Sequence, residues 1–133
     1  HIPYAAQTCI AYPEVMFNKL RKAKGIKGPK YIEIMAPCPP GWRFAMEKTV
    51  EMGQMAVETG AWALYEYENG KMTFNGKSKL LLEGKIKRKP IEDWIKYQGR
   101  FRHLFIPKKD VKRIKAIEDH TVEKWERYRA CYL

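Results

Sequence analysis

The run Ala36-Pro37-Cys38-Pro39-Pro40-Gly41-Trp42 comes directly after a short apolar stretch, Lys30–Met35, that is typical of a strand. Proline fixes its own φ, has no backbone N–H and disfavours helical geometry in the residue before it. Because prolines surround Cys38, this cysteine cannot join a helix or continue a sheet ladder. Two interpretations remain open from these residues alone. Cys38 is either a buried structural cysteine or a ligand-binding residue at the carboxyl end of a strand, where open α/β sheets bind ligands.

The strand before the loop completes a predicted βαβ unit of an α/β fold. Residues 3–10 are typical of a strand, and a helix begins around Pro13 and ends at Gly25, before the strand at 30–35. Proline in the first turn supports this helix start. Glu33 does not fit a buried parallel strand, which is usually apolar on both faces. It predicts an edge strand or a partner for the carboxylate.

Two helices close to the loop have predicted inward faces. In the first helix, Met16, Leu20 and Ala23 recur at helical spacing, with Phe17 beside them. A second helix is predicted over residues 45–59. Its inward stripe consists of Met46, Val50, Gly53 and Val57. A methionine stripe at helical spacing favours core packing over a soft binding surface.

The second half of the chain predicts a hairpin and further helices. Alternating residues around Asn69-Gly70 predict a β-hairpin over 61–74 with a type I′ turn. Residues 75–89 are rich in Gly, Lys and Ser and indicate an exposed arm or extended strand. A short helix is predicted over residues 91–97, and a long helix is predicted from residue 108 to about 128. The inward stripe of the long helix consists of Val111, Ile114, Ile117, Thr121, Trp125 and Tyr128.

The net charge of +11, from 26 Lys and Arg against 15 Asp and Glu, favours an acidic partner. Aromatic and basic residues interleave at 99–105, a combination that suits single-stranded nucleic acids. One alternative function is therefore a stand-alone basic interaction or nucleic-acid-binding module without catalysis. No RNP-type motif or helix-turn-helix spacing accompanies the patch. A solvated basic surface is the favoured interpretation, and nucleic acid is the less favoured partner.

The cysteines and histidines exclude several kinds of site. Cys9, Cys38 and Cys131 are irregularly spaced, which is no disulfide framework and favours a reducing, cytoplasmic location. Without a CxxC pair, the chain cannot supply a four-thiolate metal site alone. The three histidines, with no metal-binding spacing, are predicted to be structural or surface residues: His1, His103 and His120. We predict no catalytic residues, since no Ser/His/Asp order is present, and no membrane contact, since no apolar run approaches about 18 residues.

Several runs of sequence carry a resemblance to a known family. They are residues 2–8, 11–14, 28–42, 56–60, 64–70, 89–90 and 98–104. In this order they resemble the beta subunit of pyruvate:ferredoxin oxidoreductase, also called pyruvate synthase, of the 2-oxoacid:ferredoxin oxidoreductase family. The resemblance covers nearly the whole chain, and the loop around Cys38 is its most specific part.

The resemblance implies an activity, cofactors and partners. Members of the family oxidatively decarboxylate pyruvate with coenzyme A to acetyl-CoA and CO2 and reduce ferredoxin, or run the reverse reaction. They use thiamine diphosphate, Mg2+ and [4Fe–4S] clusters, and they assemble with further subunits. By the match, Cys38 takes the role of the fourth thiolate ligand of one [4Fe–4S] cluster. The basic runs at 85–89 and 108–115 are candidates for steering an acidic ferredoxin, an expectation that rests on charge.

Departures from the family pattern limit what this chain does alone. The Gly-Asp-Gly…Asn motif that holds the thiamine pyrophosphate and Mg2+ is absent, and so are three early cluster cysteines. We therefore expect only the C-terminal part of the subunit. Residues 1–60 are predicted to end a mainly parallel thiamine-diphosphate domain, with the ligand loop at 36–42. Residues 61–133 are predicted to form the hairpin and a helical extension. Arg43 also replaces a smaller residue.

Overall fold

One mixed sheet organises the chain, of which the computed structural model describes residues 2–132. Its strands are β1 (Tyr4–Cys9), β2 (Lys30–Met35), β3 (Tyr65–Glu68) and β4 (Lys71–Phe74), in the order β2-β1-β3-β4. β1 and β2 are parallel, with Cys9 opposite Met35, whereas the other two pairs are antiparallel. The predicted α/β class and the predicted βαβ unit are confirmed.

Within residues 2–132, six helices accompany this sheet. They are α1 (Pro13–Gly25), α2 (Pro39–Trp42), α3 (Thr49–Glu58), α4 (Gly76–Leu82), α5 (Glu92–Ile95) and α6 (Val111–Tyr132). Two 3-10 segments, Met46–Lys48 and Gly99–Leu104, lie between them. Among the described residues, no helix combines the length and apolar character needed to cross a membrane.

The unusual Glu33 is explained by the position of its strand. β2 is an outer strand of the described sheet, and Glu33 is exposed on it. Tyr31 and Ile34 on the same strand also keep 55% and 42% of their surface exposed. An edge strand tolerates a charged side chain because water solvates the carboxylate. Within residues 2–132, the structure supports the edge position of the two alternatives for Glu33.

The hairpin has the predicted turn. Asn69 and Gly70 have φ values of +49° and +82°, and a type I′ turn requires positive φ at both central residues. β3 also pairs with β1, so the hairpin extends the sheet of the βαβ unit. The division of the chain at residue 60 stays a prediction.

The predicted arm at 75–89 is wrong for its first half, which forms α4. Ser78, Leu81 and Leu82 are buried on this helix at i, i+3 and i+4. The Ser78 hydroxyl also accepts a hydrogen bond from the Leu64 N–H at 2.8 Å. Gly76 has a φ of +50°, so its glycine permits the turn that brings the chain from β4 into the helix. A short helix with one helical turn of apolar residues gives too weak a periodicity to be recognised.

The inward face of α1 also differs from the prediction. Of the three residues in the predicted stripe, Ala23 is buried, and Lys19 lies buried one turn before it. The Lys19 amine donates a hydrogen bond to the Gln7 carbonyl oxygen at 2.7 Å. Phe17 and Leu20 are instead 50% and 36% exposed. The helix is rotated so that the lysine stem covers β1 and its amine reaches a strand carbonyl.

The predicted stripe of the second helix is half correct. Gly53 and Val57 are buried, whereas Met46 and Val50 are 77% and 54% exposed. Met46 lies in the 3-10 turn that precedes α3, and Val50 lies exposed in the first turn of α3 itself. The buried residues of α3 are Met52, Gly53, Ala56 and Val57.

The inward stripe of α6 is largely confirmed. Ile114, Thr121 and Trp125 are buried on it, whereas Val111 at its start is 64% exposed. The Trp125 indole N–H donates a hydrogen bond to the Gly60 carbonyl oxygen at 2.9 Å. This contact anchors the C-terminal helix to the end of α3.

Candidate functional site

Cys38 lies between the carboxyl end of β2 and the first turn of α2. Its backbone is extended, with φ −102° and ψ 104°, as the flanking prolines require. The Cys38 carbonyl oxygen accepts a hydrogen bond from the Trp42 N–H at 2.8 Å, which closes the loop into a helical turn. The thiol itself is free and exposed. Cys38 is therefore an accessible sulfur on a rigid backbone, and the interpretation as a buried structural cysteine is wrong.

The Cys38 sulfur packs closely over Gly41. A Cβ at Gly41 would lie 3.2 Å from Sγ and 3.6 Å from Cβ of the cysteine. Any larger residue at this position would push the thiol from its place, since this spacing is tighter than ordinary van der Waals contact. The glycine therefore leaves room for the sulfur on the loop.

Trp42 anchors the loop to the core. Its ring meets the ring of Trp94 edge-on, with 5.8 Å between centroids and an interplanar angle of 85°. The Trp94 indole N–H donates to the Met52 carbonyl oxygen at 3.0 Å, which fixes α5 against α3. Trp42 and Trp94 both pack on the core cluster that contains Cys9 and Met35. The end of the loop is thus held on the core cluster beside the sheet, and the beginning of the loop continues directly from β2.

Residues 98–100 contact the loop from the other side. The Gly99 N–H donates to the Arg43 carbonyl oxygen at 2.9 Å. The Arg100 guanidinium lies over the Trp42 ring, with Cζ 4.1 Å from the centroid. The Arg100 Nε–H donates to the Gln98 Oε1 at 2.8 Å. Partial burial in this contact lowers the pKa of Arg100.

The aromatic and basic patch at 99–105 is therefore partly internal. Phe101 and Leu104 belong to a core cluster with Ile91 and Ile95, and Arg100 is stacked on the loop. The interleaving of aromatic and basic residues does not by itself distinguish this packing from an exposed stacking platform. Sequence reasoning missed the contact of this patch with the Cys38 loop. The signal was that both stretches belong to the runs that carry the family resemblance.

The other two cysteines have different surroundings. Cys9 is fully buried, and this burial raises the pKa of its thiol above the ordinary value. Its sulfur accepts a hydrogen bond from the Ala11 N–H at 3.4 Å. Cys131 is exposed near the end of α6. Only Cys38 combines exposure with a rigid backbone at a strand end.

Cys38 fits one ligand position of an iron–sulfur cluster and no more. Within residues 2–132, no group of three or more His, Cys, Asp or Glu side chains could hold a metal ion. His103 and His120 are thus not part of such a group, and His1 lies outside the described residues. A [4Fe–4S] cluster takes thiolate ligands, and an accessible cysteine beside proline suits one of them. The remaining thiolates have to come from elsewhere.

Two buried polar atoms near the carboxyl end of β1 have no partner among the described residues. They are Thr8 Oγ1 and the Tyr12 hydroxyl oxygen, at and just after the end of β1. Burial raises the pKa of Tyr12 above its ordinary value, so the hydroxyl stays protonated. Buried polar atoms without partners are uncommon in folded proteins. Both atoms lie inside the fold, whereas the Cys38 thiol is exposed.

The predicted basic runs consist largely of paired side chains. Lys85, Lys89, Lys109 and Lys115 lie within 2.7 Å of Glu83, Glu58, Glu92 and Asp119, respectively, and Arg88 pairs with Glu118. In the part of the chain that the structure covers, Lys87, Lys108 and Lys112 are exposed and in no such pair. Within these two runs, the three lysines are the cations left without a carboxylate partner in residues 2–132 and open to an acidic partner.

Comparison with known proteins identifies relatives over most of the chain, although no family model matches it. The ketoisovalerate oxidoreductase subunit VorB of Pyrococcus horikoshii is 44% identical over 126 residues, which are 95% of this chain and 37% of VorB. The pyruvate synthase subunit PorB of Methanocaldococcus jannaschii is 44% identical over 118 residues, 89% of this chain and 37% of PorB. The Methanosarcina barkeri PorB is 41% identical over 93% of this chain and 40% of its own length.

These comparisons confirm the resemblance that the sequence motifs indicate. The relatives are subunits of 2-oxoacid oxidoreductases, and their names include both pyruvate synthase and ketoisovalerate oxidoreductase. The chain spans less than half the length of these relatives. The missing thiamine motif and the missing cysteines agree with this partial coverage.

Proposed function

We propose, from its homology with part of the VorB and PorB subunits, that this chain is the C-terminal part of the beta subunit of a 2-oxoacid:ferredoxin oxidoreductase. The proposed reaction is the oxidative decarboxylation of pyruvate with coenzyme A to acetyl-CoA and CO2, with reduction of ferredoxin, or its reverse. Pyruvate is the proposed substrate because the sequence runs resemble pyruvate synthase, and the names of the relatives make ketoisovalerate the second candidate. The proposed partners are further subunits of the complex, ferredoxin, pyruvate and coenzyme A.

The observation that carries the proposal is the exposed Cys38 thiol on its proline loop. We assign it as one thiolate ligand of a [4Fe–4S] cluster, whose bound iron takes up and releases single electrons. The rest of the subunit supplies the other thiolates and the residues that hold thiamine diphosphate and Mg2+. Free exposed thiols such as Cys38 and Cys131 suit the reducing cytoplasm, which is the proposed location.

The residues of this chain have a positioning role in that proposal. The prolines and the Trp42 N–H bond hold the Cys38 backbone before any ligand arrives, so little conformational entropy is lost on binding. Gly41 leaves room for the sulfur.

The proposed function is tested with the intact complex purified without oxygen. Pyruvate and ketoisovalerate are compared as substrates for coenzyme A-dependent reduction of ferredoxin. We expect activity with pyruvate, and a loss of ferredoxin reduction in Cys38→Ala while Cys131→Ala keeps the parent rate. Cys131 is a matched control because it is also a free, exposed thiol. An inactive parent complex with both oxoacids, or a fully active Cys38→Ala variant, would contradict the proposal.

A further inference from the structure

We propose that residues 98–100 act as a latch that positions the Cys38 loop for its ligand, with Gly99 and Arg100 as positioning residues. The inference rests on the proposed role of Cys38 as a cluster ligand. Nothing in the comparisons assigns a function to these residues. The latch lies about 60 positions further along the chain than the loop, so its contacts hold the loop through tertiary structure.

The first contact of the latch is a backbone bond at the point where the loop ends. Arg43, which follows α2, has a φ of +59°, a left-handed conformation that is strained for a residue with a side chain. Its carbonyl oxygen accepts the Gly99 N–H at 2.9 Å. The bond therefore holds the chain in a conformation that it would not readily keep alone.

The second contact depends on the absence of a side chain at Gly99. A Cβ at this position would lie 2.6 Å from the Arg43 Cβ and 3.0 Å from the Arg43 carbonyl oxygen. Both are atoms of the backbone or directly bonded to it, so neither can rotate away. A side chain at position 99 would displace the loop or the latch.

The third contact is the stack of Arg100 on Trp42. The guanidinium lies 4.1 Å from the Trp42 centroid, and its Nε–H bond to Gln98 fixes the orientation of the plane. The Trp42 N–H donates to the Cys38 carbonyl oxygen. Trp42 is therefore the single residue that connects Arg100 of the latch with the ligand residue Cys38.

The test uses two latch variants with matched controls in the intact complex. Gly99→Ala adds a methyl group at the contact with Arg43, and Gly25→Ala adds one where nothing lies within 4 Å. Arg100→Met removes the planar cation without adding atoms at the contact, and Arg102→Met removes an exposed cation of the same segment. The measurements are hydrogen exchange at the Trp42 amide, the EPR spectrum of the reduced cluster and its rate of iron loss in air.

We expect both latch variants to exchange the Trp42 amide faster, to change the EPR spectrum and to lose iron roughly tenfold faster than the controls. Residues that orient a metal ligand typically have effects of this size. Arg100→Lys should restore little of the iron retention that Arg100→Met loses, because an ammonium cannot stack as a plane. Adding Arg43→Gly to Gly99→Ala should restore part of the iron retention, since it removes the Cβ at 2.6 Å.

Parent-like exchange and iron loss in both latch variants would overturn the inference. Faster exchange with an unchanged cluster spectrum would overturn it as well, because the latch would then be structural only. If Gly99→Ala does not fold, Arg100→Met decides the question. A cluster whose iron does not depend on Cys38 would instead refute the proposed function, and Trp42 amide exchange would still report whether the latch holds the loop.

Discussion

Lys19 shows how strongly a single buried charge influences this chain. The side chain is 2% exposed, and its amine makes one hydrogen bond, to the Gln7 carbonyl oxygen. Burial lowers the pKa of Lys19 to about 8, with a smaller opposing effect from Glu66. In the unfolded chain the amine has its ordinary pKa near 10.4. The unfolded chain therefore binds more protons than the folded chain between pH 8 and 10.5.

Substitution of Lys19 is predicted to have a pH-dependent effect. Because its folded pKa is lowered, the protonated lysine costs about 3 kcal/mol at pH 7, and most of that cost disappears by pH 10. The lost hydrogen bond costs Lys19→Met about 1 kcal/mol. Lys19→Met should therefore unfold at a higher temperature than the parent at pH 7, and the difference should shrink towards pH 10. Thermal unfolding of the intact subunit measures it; a difference independent of pH would contradict the account.

Gly53, unlike Lys19, is a residue at which the sequence pattern and the structure agree. A Cβ there would lie 2.7 Å from the Ala11 Cβ and 2.9 Å from the Cys9 sulfur. Gly53→Ala is predicted to destabilise the subunit by about 1–3 kcal/mol, because overpacking forces α3 away from the end of β1. Gly25→Ala is the control, since its added methyl group meets no atom. Equal unfolding temperatures for the two variants would show that the close approach of Gly53 to Ala11 and Cys9 does not affect stability.

At the scale of elements, strong local signals were sufficient for some predictions and not for others. The βαβ unit, the hairpin turn at Asn69-Gly70 and the long C-terminal helix follow from proline, glycine and periodicity. α4 was missed because its buried stripe extends over one turn only. The face of α1 was missed because Phe17 and Leu20 are apolar yet exposed. Apolar residues that face another part of a protein have the same spacing as core residues.

The candidate site was also only partly predictable. The position of Cys38 at a strand end follows from the prolines and the strand pattern. Its contact with residues 98–100 does not, because periodicity contains no information on which distant segments meet. The aromatic and basic composition of that segment favoured a solvated surface. The structure uses Arg100 and Phe101 for packing instead.

The docking of α6 yields a prediction at the same scale. Trp125 is 2% exposed, and its indole N–H bonds to the Gly60 carbonyl oxygen. Trp125→Ala should cost about 3–5 kcal/mol, because it leaves a large cavity and an unpaired carbonyl. Hydrogen exchange along α6 should rise with it, whereas the control Val122→Ala, which truncates a 37% exposed side chain, should leave it unchanged. Unchanged protection of α6 in Trp125→Ala would contradict this docking.

At the scale of the whole molecule, the net charge of +11 is the most general feature. The acidic residues are already counted in this balance, and Lys108 and Lys112 are exposed and in no ion pair among the residues described. The double variant Lys108→Glu/Lys112→Glu should slow the reduction of an acidic ferredoxin about tenfold at low salt, and less as salt screens the charges. The control is the double variant Lys24→Glu/Lys27→Glu, which makes the same charge change at exposed residues at and after the end of α1. Equal rates for both double variants would remove the steering role of this surface.

The central claim is that Cys38 ligates a cluster, and the iron content of the intact complex tests it most directly. Chemical iron analysis of Cys38→Ala and Cys131→Ala, purified alike without oxygen, compares two exposed thiols of one chain. If Cys38 ligates a cluster, Cys38→Ala loses about four iron atoms per subunit, the content of one [4Fe–4S] cluster, whereas Cys131→Ala keeps the parent value. Full iron content and an unchanged EPR spectrum in Cys38→Ala would contradict it.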